Sequence, residues 1–271
     1  MWFGSLAGVI DPWLVASGFL VGALVGMTGV GGGALMTPIL ILLFGVRPTL
    51  AVGSDLAYAT ITKVVGTAQY VRRGQVNFPY VRWLVVGSVP SSLFAVTVIS
   101  PWLVRRGIDV EALTTHALGV MLVVVAVLAL TEPWLIAGRL RNSRLIRSHA
   151  VQRRYKEPIL VAGGVVIGLG VGLTSVGSGS VLMAILLLVS ELDLLVLIGT
   201  DIMHATILLA AAGTAHWVKG NVEWGLVLAL LVGSLPGVWL GSRLSQIVPP
   251  APLRAALAIV LAATGLKLAT S

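Results

Sequence analysis

The sequence contains no cysteine in its 271 residues. Disulfides, thiolate metal sites and thiol catalysis are therefore excluded, and the redox compartment stays open. Charge is also scarce, because only 10% of the residues are Asp, Glu, Lys or Arg, against about 25% in a typical soluble domain. With 57% hydrophobic residues and a mean hydropathy of +1.01, the composition predicts an integral membrane protein.

Common catalytic and cofactor motifs are missing as well. The four histidines show no spacing suited to a zinc site, and no HExxH motif occurs. Neither the dinucleotide nor the P-loop phosphate-binding pattern is present, and no serine–histidine pair can be assembled. We therefore expect no enzyme activity, no cofactor and no metal.

The basic residues are concentrated in two stretches. The formal net charge of +8 is compatible with nucleic-acid binding, but its placement favours the positive-inside rule of membrane proteins. Residues 138–157 hold seven Lys/Arg and one acid, and residues 72–82 hold three and none. Both loops are predicted to be cytoplasmic in a multi-pass protein of the inner (plasma) membrane, with no nucleic-acid partner.

Long uncharged runs mark the hydrophobic segments. About 20 apolar residues span a bilayer core, and eight segments meet or approach this length: 12–46, 49–71, 80–104, 112–131, 158–190, 192–218, 224–247 and 252–269. We divide the chain into a first transmembrane repeat (1–131), a basic cytoplasmic linker (132–157) and a second transmembrane repeat (158–271).

The division into repeats rests on an internal duplication. At an offset of 146 residues the two halves align without a gap, with 17 identities in the 57 positions from Gly22 to Phe78. Duplicated halves are typical of transporters, whose substrate site lies at the repeat interface near the midplane. Four spans in each half would make the repeats parallel, and five would make them inverted. The predicted fold is therefore all-α, with two tandem repeats of about four transmembrane segments each.

A glycine-rich stretch, TGVGGGALMTP at residues 28–38, opens the first repeat. Segment 12–46 would form a helix of roughly 50 Å at 1.5 Å per residue, whereas the hydrocarbon core is about 30 Å thick. The glycines predict a broken or re-entrant helix whose resumed N-terminus, near Ala34, can bind an anion. The second copy is TSVGSGS, residues 174–180. Tight helix–helix packing is the alternative explanation of the glycines.

Two aspartates occupy equivalent positions inside hydrophobic segments, Asp55 and Asp201. A carboxylate at the bilayer midplane costs about 2.5 kcal/mol or more, so each needs a partner or a role. Three interpretations stay open: proton binding during coupling, capping of a broken helix, and a structural ion pair between Asp55 and Lys63. His204 lies three residues after Asp201, on the same helix face.

These motifs resemble the TauE/SafE sulfite exporter family, also called the toluene sulfonate uptake permease family. The resemblance rests on GMTGVGGGALMTPIL, VGSDLAYATITKVVGTAQYVRRGQVNF and GTDIMHATILLAAAGTAHWVKGNVEW, and it covers nearly the whole chain. It implies a bacterial or archaeal inner-membrane carrier of sulfite, sulfoacetate or another organosulfonate. Asp55 and Asp201 place the chain with the aspartate-bearing members, and Ala184 stands where the first repeat has Pro38.

We therefore predict a carrier of small sulfur-containing anions that works by alternating access, with proton coupling as an option. An anion channel and a carrier of an unrelated small anion or cation are the alternatives. The expected partners are a small anion and the bilayer, with a homodimer as one candidate assembly. Asp55, Asp201 and His204 are the candidates for coupling or gating. The candidates for substrate binding are Thr28, Gly31, Gly32, Gly33, Ser54, Lys63, Thr174, Ser175, Gly177, Ser178, Gly179 and Thr200.

Overall fold

The computed structural model describes residues 11–28, 33–141, 150–190, 192–244 and 250–270, and this part of the chain contains helices and no strand. The helices are α1 (Pro12–Thr28), α2 (Gly33–Leu42), α3 (Pro48–Arg72), α4 (Phe78–Phe94), α5 (Ser100–Arg105), α6 (Val110–Arg141), α7 (Ala150–Thr174), α8 (Ser180–Val189), α9 (Leu194–Val218), α10 (Trp224–Leu244) and α11 (Pro250–Thr270). A π-helical turn, Ala95–Ile99, joins α4 to α5.

Six helical segments in the described ranges are long and apolar enough to cross a membrane: Phe78–Arg105, Val110–Thr131, Lys156–Thr174, Leu194–Val218, Trp224–Leu244 and Pro252–Thr270. This confirms the predicted all-helical, multi-pass membrane protein. α3 is not among these six segments. It is as long as α9, at 25 residues, but its composition is more polar. Predicted segments 12–46 and 158–190 each contain two helices, α1 with α2 and α7 with α8.

The predicted linker 132–157 overlaps two helix ends. α6 continues to Arg141 and α7 begins at Ala150, so part of the linker is helical. Its central residues, 142–149, lie outside the described ranges. The helix bounds recur along the chain. The first residues of α3 and α9 are 146 positions apart, and so are those of α4 and α10. The last residues of α1 and α7 have the same separation.

Two pairs of helices pack along stripes of glycine. On α1, Gly18 and Gly22 lie against the backbone of Leu230 and Ser234 on α10. On α7, Gly164 and Gly168 lie against α4 in the same way. Residue numbers rise together on both partners, so each pair of helices runs parallel. Small residues spaced by four allow such close backbone contact between membrane helices.

The central pair, α3 and α9, crosses in the opposite sense. Gly53, near the start of α3, contacts the backbone carbonyl of Asn221, just beyond the end of α9. Gly199, near the start of α9, contacts the carbonyl of Gln75, just beyond the end of α3. A side chain at either glycine would collide with a carbonyl oxygen. The beginning of each helix thus lies at the end of the other, which makes α3 and α9 antiparallel.

Candidate functional site

A small cavity lies where the start of α2 and the second glycine-rich segment meet α3. Its described lining residues are Gly33, Ala34, Ala59, Lys63, Val125, Ser175, Gly177, Ser178, Gly179, Ser180 and Leu209. Six of the twelve predicted substrate-binding residues are in this set, and they come from both halves of the chain. The free volume is about 20 Å³, which is roughly the space of one water molecule.

Asp55 lies beside this cavity in a cluster of hydroxyl groups. Its side chain is fully buried, and its Oδ2 accepts a hydrogen bond of 2.8 Å from Thr37 Oγ1 and another from Ser175 Oγ. The other carboxyl oxygen, Oδ1, is buried and has no hydrogen-bond partner among the described residues. Asp55 therefore ties α2 and α3 of the first half to the α7–α8 connection of the second.

Gly33 makes this close approach feasible. A Cβ at Gly33 would lie 2.8 Å from the carbonyl oxygen of Ser175 and 3.0 Å from Asp55 Oδ2. These separations are shorter than carbon–oxygen contacts normally allow, so a larger residue would push the cluster apart. The glycine that begins α2 is thus required by packing at the cavity.

The connection between α7 and α8 has an unusual backbone. Ser175 has φ = 64°, and no other non-glycine residue in the described ranges has a positive φ. Gly177 follows with φ = 108°. A serine in the left-handed region is strained by about 1–3 kcal/mol and persists only where its surroundings fix it. The hydrogen bond from Ser175 to Asp55 is such a constraint.

α8 begins at the cavity without a side-chain cap. Gly179 occupies the N-cap position, and within the described residues no side-chain cap hydrogen bond is made there. The first N–H groups of a helix have no partner within the helix and carry a partial positive charge. Gly179 and Ser180 both line the cavity, so this helix end is available to a bound anion.

Lys63 brings a positive charge to the same place. It is the only charged residue among the described residues that line the cavity. No ion pair within 4.0 Å joins it to Asp55, although both side chains are described. Lys63, the α8 N-terminus and the hydroxyl of Ser178 together form a site suited to a small oxyanion.

Three of the predicted binding residues make structural hydrogen bonds instead of lining the cavity. Ser54 Oγ accepts from the backbone N–H of Glu223 at 2.9 Å, and Thr200 Oγ1 accepts from that of Asn77 at 3.0 Å. Thr174 Oγ1 donates to the Gly170 carbonyl at 2.7 Å.

The other predicted positions have mixed placements. Thr28 is the last residue of α1, while Gly31 and Gly32 lie outside the described residues. Asp201 is buried on α9. His204 is fully buried, and its Nε2 shares a hydrogen bond of 2.8 Å with Ser88 Oγ on α4.

The sequence reasoning missed two members of these clusters, Thr37 and Ser88. Thr37 lies one helical turn after Gly33 in an otherwise apolar helix, so its isolated polarity could have drawn attention to it. Ser88 has a counterpart, Ser234, at the offset of 146, and the side chain of Tyr58, the counterpart of His204, contacts Ser234. Such matched polar pairs are a signal that the duplication offered.

Comparison with known proteins identifies a family and several relatives. Residues 14–268 match the family model described as Sulfite exporter TauE/SafE. The chain is 39% identical over 255 residues to "Probable membrane transporter protein YjnA" of Bacillus subtilis (strain 168), covering 94% of this chain and 98% of that protein.

A more distant relative is archaeal. "Probable membrane transporter protein MJ0441" of Methanocaldococcus jannaschii is 26% identical over 271 residues, covering 94% of both chains. No solved structure matches. The family and the names of these relatives indicate a membrane transporter and not an enzyme. Since the family model matches all but the ends of the sequence, the chain belongs to the TauE/SafE sulfite exporter family.

Proposed function

We propose that the protein carries a small sulfur-containing oxyanion across the inner membrane, and that the cavity at Lys63 is its binding site. The observation that carries this proposal is the composition of the cavity wall: one cation, an uncapped helix N-terminus, serine hydroxyls, and no carboxylate among the described residues. A cation carrier would need the opposite balance. Sulfite, sulfoacetate and other organosulfonates offer oxygens that accept from all these donors.

Alternating access is the mechanism that fits the size of this cavity. A volume of about 20 Å³ is smaller than any of these anions, so the helices around it must separate before substrate binds. Ser175 and Thr37 link the two halves through Asp55, and this cluster lies beside the cavity. Asp55 is therefore placed to couple substrate binding to movement of one half against the other.

Inverted repeats are the architecture we propose for this movement. α3 and α9 occupy equivalent positions in the duplication, and their antiparallel crossing favours halves of opposite orientation. Thr37 on α2 meets Asp55 on α3, and Ile185 on α8 contacts Gly163 on α7. The contact between α7 and α8 favours a chain that turns back at the second glycine-rich segment, and the duplication extends this to the first, which gives five passes per half.

The distribution of basic residues supports the same orientation. With five passes per half, twelve of the eighteen Lys/Arg lie on the side of loops 72–82 and 138–157, which we assign to the cytoplasm. Five lie on the opposite side: Arg47, Arg105, Arg106, Lys219 and Lys267. Lys63 is within the membrane.

A labelling experiment tests the orientation. Arg73 and Lys219 are exposed equivalents at an offset of 146, and the chain has no native cysteine to remove. In intact cells, a membrane-impermeant maleimide should label Lys219→Cys and leave Arg73→Cys unlabelled until the membrane is permeabilised. Labelling of both variants from the same side would contradict inverted repeats.

Transport by reconstituted protein tests the function. We expect saturable uptake of labelled sulfite or sulfoacetate into liposomes, with counterflow that a channel would not produce. Lys63→Met should lower kcat/KM by about tenfold or more, because removing one charge-assisted contact costs about 1.5–3 kcal/mol. Lys267→Met, at an exposed position on α11, is the matched control. Equal uptake by wild type and Lys63→Met would refute the site.

A further inference from the structure

A second and larger cavity lies at the opposite end of α3 from the 72–82 loop. It has a volume of about 450 Å³ and sits between the start of α3, the π-helical turn, the start of α6 and the end of α9. Its polar lining residues are Thr49, Ser100, Arg105, Glu111, Thr114, His216, Lys219 and Asn221. This volume accommodates an organosulfonate together with several waters.

Two cations and one carboxylate line this cavity. Both oxygens of the carboxylate are already hydrogen-bonded within the protein, since Glu111 accepts from Thr49 N at 2.8 Å and from Thr49 Oγ1 at 2.6 Å. Arg105 and Lys219 are exposed, and neither makes an ion pair within the described residues. The formal charge of the wall is therefore positive, which favours anions.

The two cavities are close neighbours along α7. Gly172 and Leu173 line the large cavity, and Ser175 lines the small one at Lys63. Thr174, which is buried, is the one residue between them in sequence. The end of α7 therefore contributes to the walls of both cavities.

Buried hydrogen bonds hold the end of α7 in place. His216 lines the large cavity, and its Nε2–H donates to the Gly172 carbonyl at 2.9 Å. His216 is 6% exposed, and its Nδ1 has no partner among the described residues. On the other side, Ser175 donates to Asp55. The large cavity also includes Val96 and Ser100 of the π-helical region, a local geometry that is frequent at functional sites.

From these observations we propose that the large cavity is an anion vestibule on the side opposite to the basic loops. Arg105 and Lys219 collect the anion there, and the end of α7, from Gly172 to Ser175, separates it from the site at Lys63. The vestibule's role in transport rests on the proposed anion-carrier function. The vestibule's accessibility to water and its preference for anions do not depend on that function, so they can be tested separately.

Single-cysteine labelling provides this test. Ser100→Cys places a thiol in the vestibule, and Ser92→Cys, fully buried on the preceding helix, is the control. We expect impermeant methanethiosulfonate reagents applied to intact cells to label Ser100→Cys and not Ser92→Cys. We also expect an anionic reagent to react faster than a cationic one, after correction for their rates with a free thiol. No labelling of Ser100→Cys would overturn the vestibule.

The charge preference is tested by neutralising the cations. In the Ser100→Cys background, Arg105→Gln and Lys219→Gln should each lower the ratio of anionic to cationic labelling by about twofold, which is the effect of one unit charge at about one Debye length from the thiol at physiological salt. An unchanged ratio in both variants would overturn the collecting role.

Transport then links the vestibule to the carrier. Labelled Ser100→Cys should lose sulfite uptake in liposomes, while reagent-treated cysteine-free protein keeps it. Loss of uptake would support the vestibule, and full uptake after complete labelling would overturn its place on the pathway. If unlabelled wild-type protein transports no oxyanion, the carrier proposal fails, and the labelling ratios still decide whether the cavity is an open anion-collecting site.

Discussion

Replacing Asp55 with asparagine changes the charge of the buried cluster while keeping its shape. The asparagine Oδ1 can accept both hydrogen bonds that Asp55 Oδ2 accepts from Thr37 and Ser175. Its amide nitrogen then takes the place of the carboxyl oxygen that has no partner among the described residues. An unpaired amide costs about 1–3 kcal/mol, and loss of the buried carboxylate recovers a similar amount. We therefore expect little change in stability.

Asp55→Leu provides the contrast, because it removes both hydrogen bonds. Each of the two buried hydroxyls left unpaired costs about 1–3 kcal/mol, and the recovered cost of burying the carboxylate offsets only part of this, so the net loss is about 2–3 kcal/mol. An unfolding entropy of roughly 2.1 cal/mol/K per residue gives about 0.6 kcal/mol/K for a chain of this length, so Tm should fall by about 4 °C or more. Asparagine should leave Tm within about 2 °C of wild type.

The two variants should differ in transport as well. If Asp55 carries the coupling proton, Asp55→Asn loses net uptake driven by a pH gradient but keeps counterflow of labelled sulfite within about twofold of wild type. Counterflow requires only that the loaded carrier reorients, and the asparagine preserves the contacts between α2, α3 and Ser175. Asp55→Leu should lose both activities because those contacts are gone.

Liposomes with and without an imposed pH gradient provide the assay, and thermal unfolding in detergent provides the stability measurement. Asp55→Asn protein whose net uptake responds to the gradient like wild type would refute the coupling role. A drop in Tm as large for asparagine as for leucine would refute the hydrogen-bond geometry from which the contrast was worked out.

Two further predictions concern the crossing of α3 and α9. Thr200→Val removes the acceptor for the Asn77 N–H and should lower the free energy of unfolding by about 1–3 kcal/mol, measured by thermal unfolding. Thr214→Val is the control, because the Thr214 hydroxyl bonds only within its own helix, and it should change stability little. A comparable Tm for both variants would contradict the bridging role. Gly53→Ala drives a methyl group into a backbone carbonyl and should reduce the yield of folded protein, by the 1–3 kcal/mol or more typical of overpacking. Gly66→Ala, with its nearest neighbour at 3.7 Å, should fold normally, and equal yields of the two alanine variants would show that α3 and α9 do not pack this closely.

The helical fold follows from the sequence because hydrophobic length and the positions of glycine act locally. The glycine-rich stretch predicted that the helix resumes near Ala34, and α2 begins at Gly33. The internal duplication located the second glycine-rich stretch, residues 174–180, where α7 ends and α8 begins. Side-chain partners across the fold do not follow in this way, since they depend on how the helices cross.

Ser54 and Thr200 illustrate the difference. Their matched positions suggested substrate contacts, but the antiparallel crossing of α3 and α9 brings each hydroxyl to the loop that follows the other helix. Lys63 and Ser178 illustrate the converse. They lie 115 positions apart in sequence and belong to different halves, and only the packing of α3 against the α7–α8 connection places them in one cavity.

The duplication also explains why this cavity contains one lysine and not two. At the offset of 146, Lys63 corresponds to Leu209 and Ala34 corresponds to Ser180, and all four residues line the same cavity. Both members of each pair therefore face one space from opposite halves. A perfectly repeated site would present two lysines here, and their mutual repulsion would oppose closure of the cavity. Because the members of each pair differ, the polar wall has one cation, Lys63, and one helix end that carries a serine, Ser180. The other wall has Leu209 in the position equivalent to the lysine. Under the proposed function, a sulfonate with an organic tail would match both surfaces at once.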